Sequence, residues 1–293
     1  MSASWIGFTA ILMWSLLALL TAGTGRVPPL QLLAITFAIG ATAAMVSWPF
    51  RGIGFRELFR IPPAAWLTGV GGLFGYHFLY YTALRNAPVA EASLIAYLWP
   101  MLIVLGSAFL PGGGLRWNHV AGCVLGFAGA ALLVAGNSSG SSGGGSALGY
   151  ASAFGCALVW SCYSLVSRMY RRIPTDTVAL YCLATAALAA IGHLLLETTI
   201  WPETGGQWLF VVGLGLMPVG LAFFAWDHGV KHGDIRLLGI AAYFAPLLST
   251  LILVAAGVAA ASLRLALASI LIVAGALVGA GIWRSLRDRG KTS

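Results

Sequence analysis

The chain has 293 residues, of which 59% are hydrophobic and 8% charged, with a formal net charge of +8 and a mean hydropathy of +0.91. A soluble domain could not hide that much apolar surface, so composition selects an all-helical integral membrane protein. All sixteen Lys and Arg fall in or beside loops, which makes the positive charge a matter of orientation in a lipid bilayer and excludes a nucleic-acid partner.

Ten apolar stretches follow one another, at residues 3–22, 29–50, 62–84, 88–109, 116–136, 147–170, 174–197, 206–229, 233–257 and 262–284. Each is long enough as a helix to cross about 30 Å of hydrocarbon. The first lacks the basic segment of a secretory leader and is read as a retained span with Trp14 near its middle. The third carries Gly71 and Gly75, then Tyr76, His77, Tyr80 and Tyr81, of which residues 76, 77 and 80 share one helical face. The fourth contains Tyr97-Leu98-Trp99-Pro100, and the fifth Gly122 and Gly126. Residues 137–146, Asn-Ser-Ser-Gly-Ser-Ser-Gly-Gly-Gly-Ser, form a flexible linker. Trp160 lies midway along the sixth stretch, His193 near the outer end of the seventh, Tyr243-x-x-Pro246 in the ninth, and Gly275 and Gly279 in the tenth. Small residues four apart let helix backbones approach, and these pairs are expected to pack inside the bundle of a monomer, with a dimer face as the alternative.

Shifted by 146 positions, the chain lies on itself without a gap: Trp14-Ser15 falls on Trp160-Ser161, Arg26 on Arg172, Gly69 on Gly215, Arg85 on Lys231, Tyr97 on Tyr243 and Pro100 on Pro246. Two proline matches occur where chance gives roughly 0.25. A duplicated unit of five spans follows, residues 1–136 and 147–293 on either side of the linker. Because five is odd, the second unit enters the membrane upside down. With the N-terminus in the cytoplasm, 13 Lys and Arg fall on the inner side and three (Arg26, Arg85 and Arg264) on the outer. The positive-inside rule then sets both termini in the cytoplasm.

Absences exclude whole classes of function. No Asp or Glu falls well inside a predicted span: Glu91, Glu197, Asp227 and Asp234 lie near helix ends, and the other four in loops. A proton- or sodium-coupled pump with a carboxylate relay at depth is poorly supported. Catalytic acid pairs and a His-Glu-x-x-His zinc motif are missing, so neither an enzyme, a metal site nor a cofactor is expected. Cys123, Cys156, Cys162 and Cys182 sit in apolar stretches as small packing residues.

The polar content of the spans therefore carries the functional reading. The stripe Tyr76, His77 and Tyr80 is either a buried hydrogen-bonded cluster or a substrate contact. The matched Tyr97-x-x-Pro100 and Tyr243-x-x-Pro246 predict helix breaks, tolerated in lipid only where protein or a wet cavity satisfies the freed carbonyls. Paired breaks in two halves point to a transporter's central site. Trp14 and Trp160, matched and at mid-depth, read equally as cavity lining or lipid-facing filler.

In these residues the chain resembles the drug/metabolite transporter superfamily, of the EamA type. The cues are Tyr80-Tyr81-Thr82-Ala83-Leu84-Arg85 running into Pro88-Val89-Ala90-Glu91-Ala92-Ser93, the Tyr97-x-x-Pro100 after it, and the Gly126/Gly129 and Gly275/Gly279 patterns. Gly75-Tyr76-His77-Phe78 and Tyr97-Leu98-Trp99-Pro100 look most like the bacterial aromatic amino-acid exporters of that superfamily. The resemblance implies a secondary transporter of the inner membrane that moves aromatic amino acids, and a broader range with them, out of the cytoplasm by alternating access. It implies a central cavity contacted by Tyr76, His77, Tyr80, Tyr97, Trp99, Trp160 and Tyr243, with Pro100 and Pro246 at hinge-like breaks. Exporters of other small metabolites or drugs share the pattern and stay open as the alternative.

Overall fold

The computed structural model describes residues 2–54, 58, 60–111, 114–135, 146–257 and 262–280. Nearly all of the 137–146 linker and the basic tail with Arg284, Arg287, Arg289 and Lys291 lie outside them. The regular structure of the described residues is entirely helical. The elements are α1 (Ala3–Ser15), α2 (Leu17–Ala22), α3 (Pro29–Arg51), α4 (Pro63–Asn86), α5 (Val89–Ala96), α6 (Trp99–Gly106), α7 (Trp117–Ala135), α8 (Ala147–Met169), α9 (Val178–Leu196), α10 (Gly205–Leu216), α11 (Ala222–His232), α12 (Ile235–Ala241), α13 (Phe244–Ala255) and α14 (Leu263–Ala280).

Eight segments among the described residues are long and apolar enough to cross a membrane: Ala3–Ala22, Pro29–Arg51, Glu91–Phe109, Ala147–Met169, Thr175–Leu196, Gly205–His232, Ile235–Ala255 and Leu263–Ala280. The other two expected spans are helical but fall short of that standard. In α4 the tyrosines, His77, Arg85 and Asn86 dilute the apolar residues. In α7 the apolar stretch, Trp117–Leu132, is short.

Local chemistry explains where the helices begin and stop. Pro29 opens α3, where its missing N–H costs nothing, and Gly52 closes it at φ +65°, a conformation that suits glycine. The Thr204 side chain caps α10 by accepting from Gln207 N, and Asp234 caps α12 by accepting from the amides of Arg236 and Leu237. Helix stops after Ala96 and restarts at Trp99 with Pro100 in its first turn. The matched stretch stops after Ala241 and restarts at Phe244. Both interruptions fall at the Tyr-x-x-Pro sequences.

The chain divides into two compact units that do not follow the halves of the sequence. Met1–Phe78 and Val166–Gly233 form the first, Leu79–Leu165 and Asp234–Ser293 the second. In the first unit α3 packs along α9, and α1 along α11. Two polar contacts close the ends of the α3–α9 pair. The Arg51 guanidinium pairs with Asp176 at one end. At the other, the Glu197 carboxylate accepts from the amides of Leu30 (3.1 Å) and Gln31 (3.2 Å).

In the second unit the main pair is α7 with α14. A Cβ at Gly122 would lie 2.7 Å from the Gly275 carbonyl oxygen, and one at Gly275 an equal distance from that of Gly122. These glycines thus bring two backbones into contact within the bundle, which is dispersion gained without a side chain between them. Asn118 Nδ2 donates to the Gly279 carbonyl at 2.9 Å and fixes the register.

Candidate functional site

Each unit holds a cluster of ring-bearing side chains among the residues singled out from the sequence. In the first, His77 Nδ1 donates to the carbonyl of Leu73 at 2.7 Å, one turn back on α4, which fixes the proton on that nitrogen. Three rings surround the imidazole edge-on: Tyr76 at 5.1 Å, Phe37 at 5.3 Å and Phe223 at 6.1 Å between centroids. Phe223 and Phe37 stack at 14° and 5.4 Å. Trp14 adds its ring against Phe223 and Trp226. Edge-to-face and offset contacts of this kind are the favoured aromatic geometries, worth about 0.5–1.5 kcal/mol each beyond burial.

In the second unit Tyr80 Oη and Ser93 Oγ stand 3.2 Å apart and join α4 to α5. Trp99 meets Trp160 edge-on at 6.3 Å, and Trp160 lies against Tyr163 at 5.1 Å. The Ser161 hydroxyl is within hydrogen-bonding distance of the Trp99 carbonyl (3.0 Å) and of the Ala157 carbonyl (2.7 Å). A serine one residue from Trp160 thereby ties α8 to the segment restarting after the Tyr97–Leu98 turn.

The seven residues read from the sequence do not share one environment. Tyr76, His77, Tyr80 and Tyr97 are half-buried. Trp99 and Trp160 are buried against each other, with relative exposures of 6% and 4%. Tyr243 stands apart, 0% exposed in a cluster with Ala130, Leu247, Leu265, Ala268 and Ile272. Gly126 makes room for it, since a Cβ there would lie 2.5 Å from the tyrosine ring. Pro100 and Pro246 lie in the first turns of α6 and α13.

Three features of the first unit escaped the sequence reading. Asp227 and Lys231 form a 2.7 Å ion pair with side-chain exposures of 1% and 3%, although they read as a helix-end residue and a cytoplasmic-side residue. Thr175 donates to Asp227 at 2.8 Å, and Lys231 donates to the carbonyl of Ile173. Their spacing of four was visible, but their burial was not. His193, read near the outer end of its span, is buried, with Nδ1 donating to Glu197 at 3.0 Å and Nε2 lying 2.9 Å from Thr199 Oγ1. The third is a π-turn at Met217–Leu221, between α10 and α11. Pro218 was the available signal. Among the described residues no group of His, Cys, Asp and Glu could hold a metal ion.

Long apolar helices interrupted at the matched Tyr-x-x-Pro sequences, beside clusters of aromatic and hydroxyl groups, fit a membrane carrier. The EamA-like transporter family model matches residues 1–135 and 147–279, and the chain belongs to that family. It is 54% identical over 283 residues to the aromatic amino acid exporter YddG of Ancylobacter novellus, covering 94% of this chain and 96% of that protein. It is 25% identical to the YddG of Escherichia coli over 85% and 86% of the two chains. The biotin transporter of Salmonella typhimurium is 27% identical over 71% and 69%. A solved crystal structure with 53% sequence identity superposes with a TM-score of 0.91, covering 97% of this chain and 98% of the other.

Proposed function

We propose that this chain is an exporter of aromatic amino acids, and of a broader range of amino acids with them, in a bacterial inner membrane. Its 54% identity along almost its whole length to an aromatic amino acid exporter carries the reading. The clusters supply chemistry to match. Flat rings can stack on an indole or phenyl group, and a ring face attracts an ammonium by about 0.5–2 kcal/mol. The tyrosine hydroxyls are donors for a carboxylate. Within this reading the contacts are the half-buried Tyr76, His77, Tyr80 and Tyr97, with the buried Trp99 and Trp160 in support. Tyr243, expected with them from the sequence, is fully enclosed in its own cluster and serves packing. The His77 proton is held by Leu73, so Nε2 is its ring nitrogen for a solute.

The proposal includes ten spans as two inverted repeats, with both termini cytoplasmic, working as a monomer by alternating access around the breaks at Pro100 and Pro246. The repeat mates α3 and α9 run antiparallel, since the end of each meets the beginning of the other, and this supports the inversion. Counterflow in proteoliposomes is the test, with labelled phenylalanine, tryptophan and threonine, biotin as a competitor, and runs with and without a pH gradient. The expected result is saturable counterflow of the aromatic amino acids. A wild-type protein that exchanges none of them ends the proposal.

A further inference from the structure

The segment Gly205–His232 is interrupted by the π-turn at Met217–Leu221. Pro218 has no N–H to give the carbonyl of Leu214, which removes one α-helical bond. The backbone widens there, with Met217 at φ −98° and ψ −81°. The turn rests against α3 at Gly40, where a Cβ would lie 2.8 Å from Gly220 Cα and 2.9 Å from the Gly215 carbonyl oxygen. The Pro218 carbonyl accepts the indole Nε1–H of Trp14 at 3.1 Å.

A π-turn takes up about one extra residue and rotates everything after it by about 100°. No residue has been inserted to match, because Gly69/Gly215 before the turn and Arg85/Lys231 after it both stand 146 apart. The first half, with Gly72 where the second has Pro218, runs through as the uninterrupted α4. The turn therefore decides where the first α11 side chains point. Phe223, two residues past it, lies flat on Phe37, edge-on to His77 and against Trp14.

We propose that Trp14 is a positioning residue for transport. Its indole N–H holds the π-turn, the turn aims Phe223, and the Phe223–Phe37 stack fixes the imidazole of His77. This rests on the reading of His77 as a substrate contact, while the latch itself is independent of substrate. Trp14→Phe keeps a six-membered ring and removes the donor together with the pyrrole part of the indole, so exchange in 214–223 and the double variant are what tie its effect to the turn. Pro218→Ala restores the missing N–H and gives the backbone the option of an unbroken α-helix.

The experiment compares full-length wild type, W14F, P218A, F223L and W14F/F223L in proteoliposomes, with thermal melting to confirm folding and hydrogen exchange on the peptides covering 214–223. W14F is expected to raise the KM for phenylalanine about fivefold, the scale of one net hydrogen bond, and to speed exchange in 214–223. P218A shifts KM in the same direction. The double variant is no worse than F223L, because Trp14 acts through Phe223. Wild-type kinetics in W14F, or a full additive loss in the double variant, overturns the proposal. Unchanged exchange in 214–223 overturns the latch even if wild type carries no phenylalanine, in which case the reading of function has failed separately.

Discussion

Arg51 and Glu197 stand 146 residues apart and close opposite ends of one helix pair, Arg51 at the start of α9 and Glu197 at the start of α3. Their partners, Asp176 and Leu30, are separated by the same interval. On the proposed duplication these are equivalent positions, and one contact recurs with the charge reversed. The Arg51 side chain is 48% exposed, whereas the Glu197 side chain is 3% exposed. Solvent screens the first pair to about 0–1 kcal/mol. Glu197 accepts two buried amides at a helix N-terminus, where charged hydrogen bonds are worth about 1.5–3 kcal/mol. Glu197→Ala is expected to lower the melting temperature clearly and Arg51→Ala hardly at all, measured on purified protein in detergent. Equal shifts would show that burial does not separate these contacts.

The glycines divide in a similar way. A methyl added at Gly71 would meet nothing within 4 Å, whereas a Cβ at Gly275 would lie 2.7 Å from the Gly122 carbonyl oxygen. Gly275→Ala must force α7 and α14 apart, at about 1–3 kcal/mol. Gly71→Ala meets no steric penalty and gains up to about 1 kcal/mol in helix propensity. Opposite signs of the melting shift in the two variants are the expected outcome.

Most of the helices, and both interruptions at the Tyr-x-x-Pro sequences, were legible because proline and long apolar runs act locally. What remained hidden depended on distant partners. Glu197 reads as a helix end until Leu30, 167 residues away, is seen to use it as a cap. The ungapped self-match gave no sign of the π-turn, since Gly72 stands 146 residues before Pro218 and no residue is inserted between the flanking matches. Tyr97 and Tyr243 match in sequence but not in surroundings, since Gly126 opens a pocket for the Tyr243 ring inside its own cluster.

The buried pair Asp227–Lys231 is expected to behave as a unit. Removing either partner leaves an uncompensated charge at a site where the side chains are 1% and 3% exposed, at a cost of about 3–5 kcal/mol. Removing both takes away the charges together. Asp227→Asn and Lys231→Met should each destabilise more than the double variant does, read as melting temperatures. If the double variant also retains counterflow, the pair is structural; loss of counterflow in a folded double variant would instead make it part of the transport cycle.

Substitution at the ring clusters separates contact from packing. His77→Ala and Tyr97→Ala remove half-buried polar groups and are expected to cut phenylalanine counterflow about tenfold or more, in line with the loss of one or two solute contacts of about 1–2 kcal/mol each. The melting temperature moves little in Tyr97→Ala, while His77→Ala also gives up its edge-on ring contacts and melts lower. Tyr243→Phe removes only a hydroxyl from a fully enclosed ring, and flux should stay close to wild type. Tyr243→Ala empties the space beside Gly126 and should cost about 3–5 kcal/mol of stability. The contrast is what matters: a flux defect without a stability defect marks a side chain that meets the solute. Normal flux in both His77→Ala and Tyr97→Ala would remove the proposed contact set even if the protein proves to carry amino acids.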